Sequence, residues 1–583
     1  MNEKSIDAFI IPGSDPHISE YPAAHWKSRT WISGFTGSAG TVVITTGKAG
    51  LWTDSRYFLQ AESQLKDSGI GLFKDGLPET PSLKDWLVSE LPAGSCVAID
   101  GDVYAASEVQ LLETFFENNN IKLATDFQPF DLIWENRPEI PADKIFVFPE
   151  EFSGIFAREK INNVLKEVQS TGADVTVLAS LDAIAWLFNI RGTDVEYNPV
   201  AICYAVVSPK ETVLFIHPEK LTAEVIDYLT GQNIILADYT KVFDYVEKIP
   251  AKLRVLVNSA KINYSLYSSI SGIVKEVTVH PVDMLKAIKN ETEITGLKNA
   301  LIRDGVALTK FYIWLENALD AGEKVTELDI SRQLRHFRSE QPLYFGESFE
   351  TIAGYGEHGA IPHYGATEAS NAAIEKKGLL LIDSGAQYFD GTTDITRTFA
   401  VGEVSEQMCI DYTLLLKGHI ALSQARFPQG TKGCQLDILA RKPLWDNGLN
   451  YLHGTGHGIG HFLNVHEGPQ SIRIDFNPTP LQPGMILSNE PGLYRTGEYG
   501  IRIENLILTV PAEKTDFGSF YQFETLTLCP IDKKPIKKAL LSNSEIEWLN
   551  KYHSEVYEKL SPFLNEEEKA WLKEKTSTIN FFR

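Results

Sequence analysis

Two stretches in the first half of the chain repeat one order of apolar and polar positions. In each, an apolar, β-branched run leads to a tryptophan, a glycine-containing turn and a second strand-like run. Trp31 and Trp186 stand at the same distance from Gly37 and Gly192. We therefore predict that one α/β domain is duplicated, the alternative being two unrelated domains that share a common pattern. The repeated segments are IDAFII (6–11) with RTWISGFTGSAGTVVI (29–44), and ADVTVL (173–178) with DAIAWLFNIRGTDVEYNPVAICYAVV (182–207).

Proline-rich and helical segments predict where the domains end. A boundary is expected in the stretch ENRPEIP at 135–141, and a second one after His280-Pro281. Ile294, Leu297 and Leu301 follow the second boundary at helical spacing, with charged residues between them. The pattern predicts an α/β (α+β) chain of three domains, at 1–140, 141–281 and 282–583.

The last predicted domain alternates helices with strand-like runs and ends in an amphipathic helix. Ser544 and Glu547 have the spacing of a capping box, which would start this helix. The apolar positions that follow at four-residue spacing are Trp548, Tyr552, Val556 and Leu560.

Composition narrows the classes of function. The 583 residues carry 54 basic and 77 acidic side chains, a net charge of −23, which argues against a nucleic-acid or membrane-surface binder. The five cysteines form no CxxC pair, as expected for a reducing compartment. The only apolar stretch near the N-terminus is broken at Pro12-Gly13, and no run of membrane-spanning length occurs. We predict a cytoplasmic protein without nucleic-acid or membrane partners.

Two aspartates interrupt strand-like runs of the last domain. Asp383 directly follows LLLI, and Asp394 lies inside TTDITRTF. Aspartate is disfavoured in strands and costly to bury unpaired, so neighbouring strands carrying both would need cations between them. The alternative is a turn aspartate and a surface aspartate. Because Asp390-Gly391 resembles a turn, a tight hairpin would not place 383 opposite 394, and we expect a bend or a longer loop.

The segment YLHGTGHGIGHFLNVHEGP, at 451–469, combines four histidines with five glycines. A single histidine is more often structural, but four so close together favour a site, since imidazole binds metals and donates hydrogen bonds. The glycines allow close backbone approach and make a regular helix improbable. The HExxH pattern of zincins is absent. The four histidines are His453, His457, His461 and His466.

Two glutamates complete the candidate chemistry. Glu490 ends the strand-like run of GMILSNEPGLY, and Glu504 lies in GIRIENLILTV. Strand alternation places Arg502 and Glu504 on one face, and the alternative is an edge strand with an exposed ion-paired face. Two aspartates, two glutamates and a histidine would balance two divalent cations, which carboxylates can bridge.

These motifs resemble the pita-bread metallopeptidases, a family that includes methionine aminopeptidase, prolidase and aminopeptidase P. Within the family the chain is most similar to the three-domain Xaa-Pro aminopeptidases of the cytosolic type, and the resemblance covers nearly the whole chain. It implies two similar creatinase-type N-terminal domains followed by a C-terminal pita-bread catalytic domain. The strings that carry it are SEYPAAHWKSRTWISGFTGSAGT, WTDSRYFLQAE, LDAIAWLFNIRGTDVEYNPV, IDSGAQYFDGTTDITRT, YLHGTGHGIGHFLNVHEGP and GIRIEN.

The resemblance also implies roles for individual residues. The substrate-side histidines would be His363, His453 and His466. One departure from the family is Pro362, just before His363, because relatives need not have proline at that position. Apart from the resemblance, Arg56 and Arg502 are candidate substrate-binding residues. Arg56, in WTDSRYF, could reach a substrate or a neighbouring subunit, and the favoured alternative is an ordinary surface or intradomain ion pair. The implied metal ligands are Asp383, Asp394, His457, Glu490 and Glu504.

The implied activity is removal of the N-terminal residue from peptides whose second residue is proline, by a water that two divalent ions share. Manganese is the first choice of metal, with zinc or cobalt as alternatives, and Glu490 would carry the proton to the leaving nitrogen. A homodimer is implied. The alternatives are a prolidase acting on Xaa-Pro dipeptides, which the duplicated first half disfavours, and a non-catalytic peptide-binding module, which an intact ligand set disfavours. Metal-free creatinase is disfavoured on the same ground.

Overall fold

The structure, a computed structural model, describes residues 1–580. The chain divides between Leu285 and Lys286 into two compact units, here called the N-terminal unit and the C-terminal unit. Each unit has its own sheets and its own apolar clusters.

The first half of the N-terminal unit contains a six-stranded mixed sheet. Alternate residues of its central strand enter two apolar clusters, Ala8 and Ile10 in one and Phe9 and Ile11 in the other. Both faces of this strand are therefore buried, which explains its continuous apolar run. The strands are β1 (Ala8–Pro12), β2 (Thr41–Thr45), β3 (Ala49–Thr53), β4 (Gly71–Lys74), β5 (Cys96–Ala98) and β6 (Lys122–Ala124). The helices are α1 (Ser28–Ser33), α2 (Phe58–Gln64), α3 (Leu83–Glu90), α4 (Ala106–Asn118) and α5 (Phe130–Ile133).

A second six-stranded sheet follows in the same unit. The strands of this segment are β7 (Phe146–Val147), β8 (Val175–Leu178), β9 (Ile190–Arg191), β10 (Cys203–Val207), β11 (Thr212–Ile216), β12 (Ile234–Ala237), β13 (Arg254–Val257) and β14 (Ile273–Glu276), of which β7 and β9 form a separate pair. The helices are α6 (Glu150–Ser153), α7 (Ala157–Ser170), α8 (Leu181–Phe188), α9 (Ala223–Gly231), α10 (Val242–Val246), α11 (Tyr264–Ser268) and α12 (Pro281–Ala287).

The two sheets have one topology. Their strand orders are β4-β3-β2-β1-β5-β6 and β12-β11-β10-β8-β13-β14, with antiparallel and parallel pairings at the same places. Trp31 and Trp186 each lie in the helix after the first strand, three residues before a left-handed residue, Gly34 or Asn189, at the helix C-cap. The shared strand order and the matching positions of the two tryptophans confirm the predicted duplication.

The C-terminal unit begins with a 30-residue helix whose Asn290 and Glu293 form a capping box. Leu297 and Leu301 are buried in an apolar cluster against which Ile294 packs, as the helical spacing predicted. In this unit α13 packs against α14, and α15 packs against α16. The helices are α13 (Glu291–Asp320), α14 (Glu327–Ser339), α15 (Glu406–Ser423), α16 (Gly433–Trp445), α17 (Asn543–Leu560) and α18 (Glu566–Lys575).

The described part of the C-terminal unit, residues 286–580, contains four sheets. Across them the strands lie in the orders β15-β18-β19, β16-β17-β20, β21-β28-β27-β24-β22-β23 and β25-β26. Their bounds are β15 (Tyr344–Glu347), β16 (Ile352–Tyr355), β17 (Leu379–Ser384), β18 (Ala386–Tyr388), β19 (Gly391–Thr392), β20 (Ile395–Ala400), β21 (Arg426–Pro428), β22 (Gly456–Gly458), β23 (Glu467–Ile472), β24 (Ile486–Asn489), β25 (Gly492–Arg495), β26 (Tyr499–Arg502), β27 (Asn505–Thr515) and β28 (Gly518–Thr525).

The start of α17 differs from the prediction. Its capping box is formed by Ser542 and Glu545, not by Ser544 and Glu547. The sequence LSNSEIEW contains the Ser-x-x-Glu pattern twice, two residues apart, and the helix begins at the earlier one. Ile546, Leu549, Tyr552, Val556 and Leu560 then line its buried face.

No helix among residues 1–580 combines the length and the apolar character that crossing a membrane requires.

Candidate metal centre and active site

A single tight hairpin brings Asp383 and Asp394 together, so the expectation of a bend or a longer loop is wrong. Strands β17 and β20 pair Asp383 with Thr396, and β18 and β19 continue the same register to a two-residue turn at 389–390. The ladder is interrupted only at 385 and 393–394. Asp383 and Asp394 are therefore diagonal neighbours on one face, a spacing at which polar side chains interact. Both are buried, at 8 % and 4 % exposure, which excludes a turn aspartate and a surface aspartate.

His457 lies in β22 between two glycines that the packing requires. A Cβ at Gly456 would lie 2.0 Å from the carbonyl oxygen of Ser488, and one at Gly458 would lie 2.3 Å from that of Glu467. Residues Gly456–Gly458 form a strand, in agreement with the expectation that the glycines make a regular helix improbable. His457 Nδ1 lies 2.9 Å from the Gly458 carbonyl, which can only accept, so Nδ1 carries the proton. Nε2 is then the ring nitrogen that would bind a cation.

The two glutamates approach from neighbouring strands. Glu490 follows β24 directly, and its backbone N–H donates to the Thr455 carbonyl at 2.8 Å. Glu504, 1 % exposed, lies between β26 and β27, and its Oε2 accepts from Thr396 Oγ1 at 2.8 Å. Arg502 Nε donates to the same hydroxyl at 3.1 Å, so Arg502 and Glu504 share a face, as predicted. Their burial excludes an exposed edge strand.

The five side chains form one polar cluster. Asp394, His457 and Glu504 each direct a ligand atom into a space where these atoms lie within 4.8 Å of one another. His457 Nε2 is 3.5 Å from Asp394 Oδ2 and 3.4 Å from Glu490 Oε1. Asp383 joins through Arg502, whose Nη2 donates to Asp383 Oδ2 at 2.6 Å.

The cluster carries more negative charge than the protein compensates. Burial, and then repulsion from Asp383, holds the pKa of Asp394 well above its ordinary value. Burial and the charge of Asp394 do the same to the pKa of Glu504. Burial raises the pKa of Glu490 to about 7. Shifts in this direction are expected where buried carboxylates face one another with little positive charge between them.

The donor set fits divalent cations. Asp383 Oδ1 is buried and has no hydrogen-bond partner among residues 1–580, although such an atom ordinarily has one. Four carboxylates and one imidazole nitrogen are the hard and borderline ligands that manganese, zinc and cobalt accept. Cations at this place would give the orphaned oxygen a partner and relieve the repulsion.

Arg502 connects the carboxylates to His453. Its Nη1 donates to Tyr494 Oη at 2.7 Å, and that hydroxyl lies 2.9 Å from His453 Nε2. His453 Nδ1 lies 2.8 Å from the Gly454 carbonyl, so Nδ1 carries the proton and Nε2 accepts from Tyr494. Burial raises the pKa of Tyr494 to about 12, which keeps this donor protonated.

The other histidines differ in their surroundings. The His466 ring stands edge-to-face on the His457 ring, with centroids 4.4 Å apart. His363 is half-buried in the loop after β16, and Arg502 Nη2 donates at 3.3 Å to the carbonyl of the preceding Pro362. His461 is buried, at 3 % exposure.

Arg56 forms a local ion pair with Asp54, which was the alternative to a role in substrate binding. Its Nε and Nη2 donate to the two carboxylate oxygens of Asp54, at 2.8 and 2.7 Å, within the N-terminal unit. Arg502 is the other candidate for substrate binding. All three of its side-chain nitrogens donate hydrogen bonds to other groups of the protein.

Two residues of the site were missed in the sequence. Tyr494 lies inside a quoted motif, and its place between His453 and Arg502 depends on the β25–β26 hairpin. Thr396 could have been found by alternation, because it stands two residues after Asp394 and so on the same face.

Comparison with known proteins adds to this geometry. The family model "Creatinase/Prolidase N-terminal domain" matches residues 1–133, a second model of that description matches 136–293, "Metallopeptidase family M24" matches 295–511, and "C-terminal region of peptidase_M24" matches 519–579. A relative from Coprinopsis cinerea, named a probable Xaa-Pro aminopeptidase P, is 42 % identical over 604 residues, which cover 99 % of this chain and 97 % of that protein. The chain belongs to metallopeptidase family M24. The predicted resemblance and fold class are confirmed.

Two solved structures are similar to this chain. The X-prolyl aminopeptidase from Caenorhabditis elegans, described as a cytosolic enzyme with a di-nuclear active site, has a TM-score of 0.94 and 36 % identity. The match covers 98 % of this chain and 95 % of that one. An Xaa-Pro dipeptidase from Bacillus anthracis has a TM-score of 0.52 and 26 % identity, covering 64 % of this chain and 99 % of its own. The shorter enzyme thus matches about two thirds of this chain.

Proposed function

We propose that this M24 enzyme is an Xaa-Pro aminopeptidase, which hydrolyses the bond between the first residue of a peptide and a proline in second place. The observation that carries the proposal is the buried cluster of four carboxylates and His457, in a chain that aligns end to end with proteins of that name. Proline has no N–H and restricts its neighbours, so its bond needs a dedicated site.

The five clustered side chains are the proposed metal ligands. Asp383, Asp394, His457, Glu490 and Glu504 would hold two divalent ions, with manganese as the first choice and zinc or cobalt as alternatives. When bound, these ions supply Lewis acidity and lower the pKa of water. The Caenorhabditis elegans enzyme, described as di-nuclear, supports two ions.

The chain's own groups then handle protons and orient the substrate. Glu490 is proposed to take the proton of the attacking water and deliver it to the leaving proline nitrogen. His466 and His363 are proposed to donate hydrogen bonds to the oxyanion. His453, whose Nε2 accepts from Tyr494, is proposed to lie on the substrate side. Arg502 is proposed to orient Asp383 and Tyr494 as well as to face the substrate.

The boundaries, assembly and location are also proposed. The domains would span 1–140, 141–281 and 282–583, and the segments of the family models support this division. A cytoplasmic location is supported by the Caenorhabditis elegans enzyme, which is described as cytosolic. A homodimer rests on the family resemblance alone, and light scattering after size exclusion measures it.

Substrate length separates this function from a prolidase. The test compares release of the first residue from an Xaa-Pro-Xaa tripeptide and from the matching Xaa-Pro dipeptide. An aminopeptidase cleaves the tripeptide efficiently, whereas a chain that cleaves the dipeptide alone is a prolidase. A chain that binds the tripeptide and cleaves neither is a binding module.

A further inference from the structure

Glu327 is a buried carboxylate outside the metal cluster that binds one loop at four points. It is the first residue of α14 and has 0 % exposure. The loop is residues 355–372, here called the His363 loop, which begins at Tyr355, the last residue of β16. We propose that Glu327 is the positioning residue for His363, and this rests on the proposed function.

The contacts of Glu327 are spread along the loop. At its start the N–H of Tyr355 donates to Oε1 at 2.9 Å, and at its end the N–H of Ala372 donates to Oε2 at 2.9 Å. Between them, His358 Nδ1 donates at 2.8 Å and the Tyr364 hydroxyl donates at 2.9 Å. Tyr364 is the neighbour of His363. One carboxylate thus joins both ends and the middle of the loop.

Charge explains why a carboxylate occupies this place. Its two oxygens together offer about four lone pairs, enough for these four donors. The N-terminus of α14 favours an anion, and hydrogen bonds to an anion are roughly twice as strong as neutral ones. The hydrogen bond to Glu327 raises the pKa of His358, because the carboxylate favours the charged form of the imidazole.

The far side of the loop meets the active site. Arg502, which binds Asp383, also donates to the Pro362 carbonyl at 3.3 Å. The loop packs closely on β26 at Gly359, whose carbonyl oxygen would lie 1.6 Å from a Cβ at Gly500. His363 therefore lies between an anchor at Tyr364 and one at Pro362. The loop position depends on Glu327 and on the hairpin that carries Arg502.

Glu327→Gln tests this role with little change in volume. The amide nitrogen cannot accept, so at least one of the donors on Oε1 or Oε2 loses its acceptor. We expect kcat/KM on an Xaa-Pro-Xaa peptide to fall by about 10–100-fold, as small displacements of positioned groups do. Metal content should stay that of the wild type. Hydrogen exchange should rise in residues 355–372.

A double-mutant cycle with His363 separates positioning from general damage. If Glu327 acts through His363, E327Q should add little to H363A, and the double variant should resemble H363A. Glu347→Gln is the matched control, because Glu347 is also buried but accepts from Tyr344 and Arg338, outside the loop. Tyr364→Phe removes one donor only and gives the same test, with a smaller loss, if E327Q folds poorly.

The outcomes are distinct. Additive losses in the double variant, or loop exchange in E327Q no higher than in E347Q, would overturn the proposal. If H363A lost turnover while E327Q and Y364F kept it, the positioning role of Glu327 would be refuted and the role of His363 would stand. Normal turnover of H363A would instead refute the role of His363 in the proposed function, and with it the positioning role of Glu327.

Discussion

Removing one charge from the carboxylate cluster should stabilise the ion-free protein. We expect Asp394→Asn, in excess chelator, to raise the melting temperature of the C-terminal unit. The side chain keeps its shape, and a buried anion that faces other carboxylates becomes neutral. Most buried aspartates behave in the opposite way, because they are paired with a cation.

The magnitude follows from the distances. Ligand oxygens of Asp394 and Glu504 lie within 4.8 Å of each other. At an effective dielectric constant of about 20, two unit charges at this separation repel by about 3.5 kcal/mol. Protons taken up by the cluster relieve part of this repulsion, so a gain of roughly 1–3 kcal/mol is expected. At about 2–4 °C per kcal/mol, the melting temperature should rise by several degrees.

Calorimetry with and without ions provides the assay. The matched control is Asp437→Asn in the same unit, because Asp437 is equally buried but accepts from Arg441 and Thr455. That variant should lose stability. Added manganese should stabilise the wild type strongly and D394N weakly. If chelated D394N lost as much stability as D437N, the cluster would not be under repulsion, and the reasoning that makes it a cation site would fail.

Three further results are expected. In chelator, the free energy of unfolding of the C-terminal unit should fall as pH rises from about 4.5 towards 7, because Glu490 binds its proton more tightly when folded; a titration in which stability rises over that range would contradict this. Ala variants of His453 and His466 should lower turnover at least about tenfold and keep wild-type ion content; a metal-depleted His453 variant would make that residue a ligand. Arg397→Lys should lower the free energy of unfolding, measured in denaturant, by about 3 kcal/mol or more. Arg397 donates charged hydrogen bonds to the carbonyls of Glu504 and Cys529, which lysine cannot all replace. A loss under about 1 kcal/mol would contradict this.

The sequence was informative where local pattern decides structure. The duplicated domain could be predicted because strand, helix and turn residues recur in one order in both copies. Asp383, Glu490 and Glu504 stood out because a carboxylate within an apolar run needs a buried partner. The glycines around His457 indicated close backbone contact, which the strand at 456–458 confirms.

Other features depend on contacts between distant segments. The register that makes Asp383 and Asp394 diagonal neighbours follows from the turn at 389–390. The number of residues between the two aspartates did not reveal where this turn lies. Tyr494 resembles any strand tyrosine until the hairpin brings it to Arg502. In the sequence, Glu327 resembles any glutamate in the first turn of a helix. Its four contacts with the His363 loop appear only in the folded chain.

The most direct test titrates ion-stripped protein with manganese and follows bound ions and turnover together. The substrate is an Xaa-Pro-Xaa peptide, and its control replaces proline by alanine. Turnover should be absent without ions, rise as the cluster fills with two ions per chain, and occur with the proline peptide alone. Full turnover of a chain shown to be free of ions, or equal cleavage of the alanine peptide, would contradict the account.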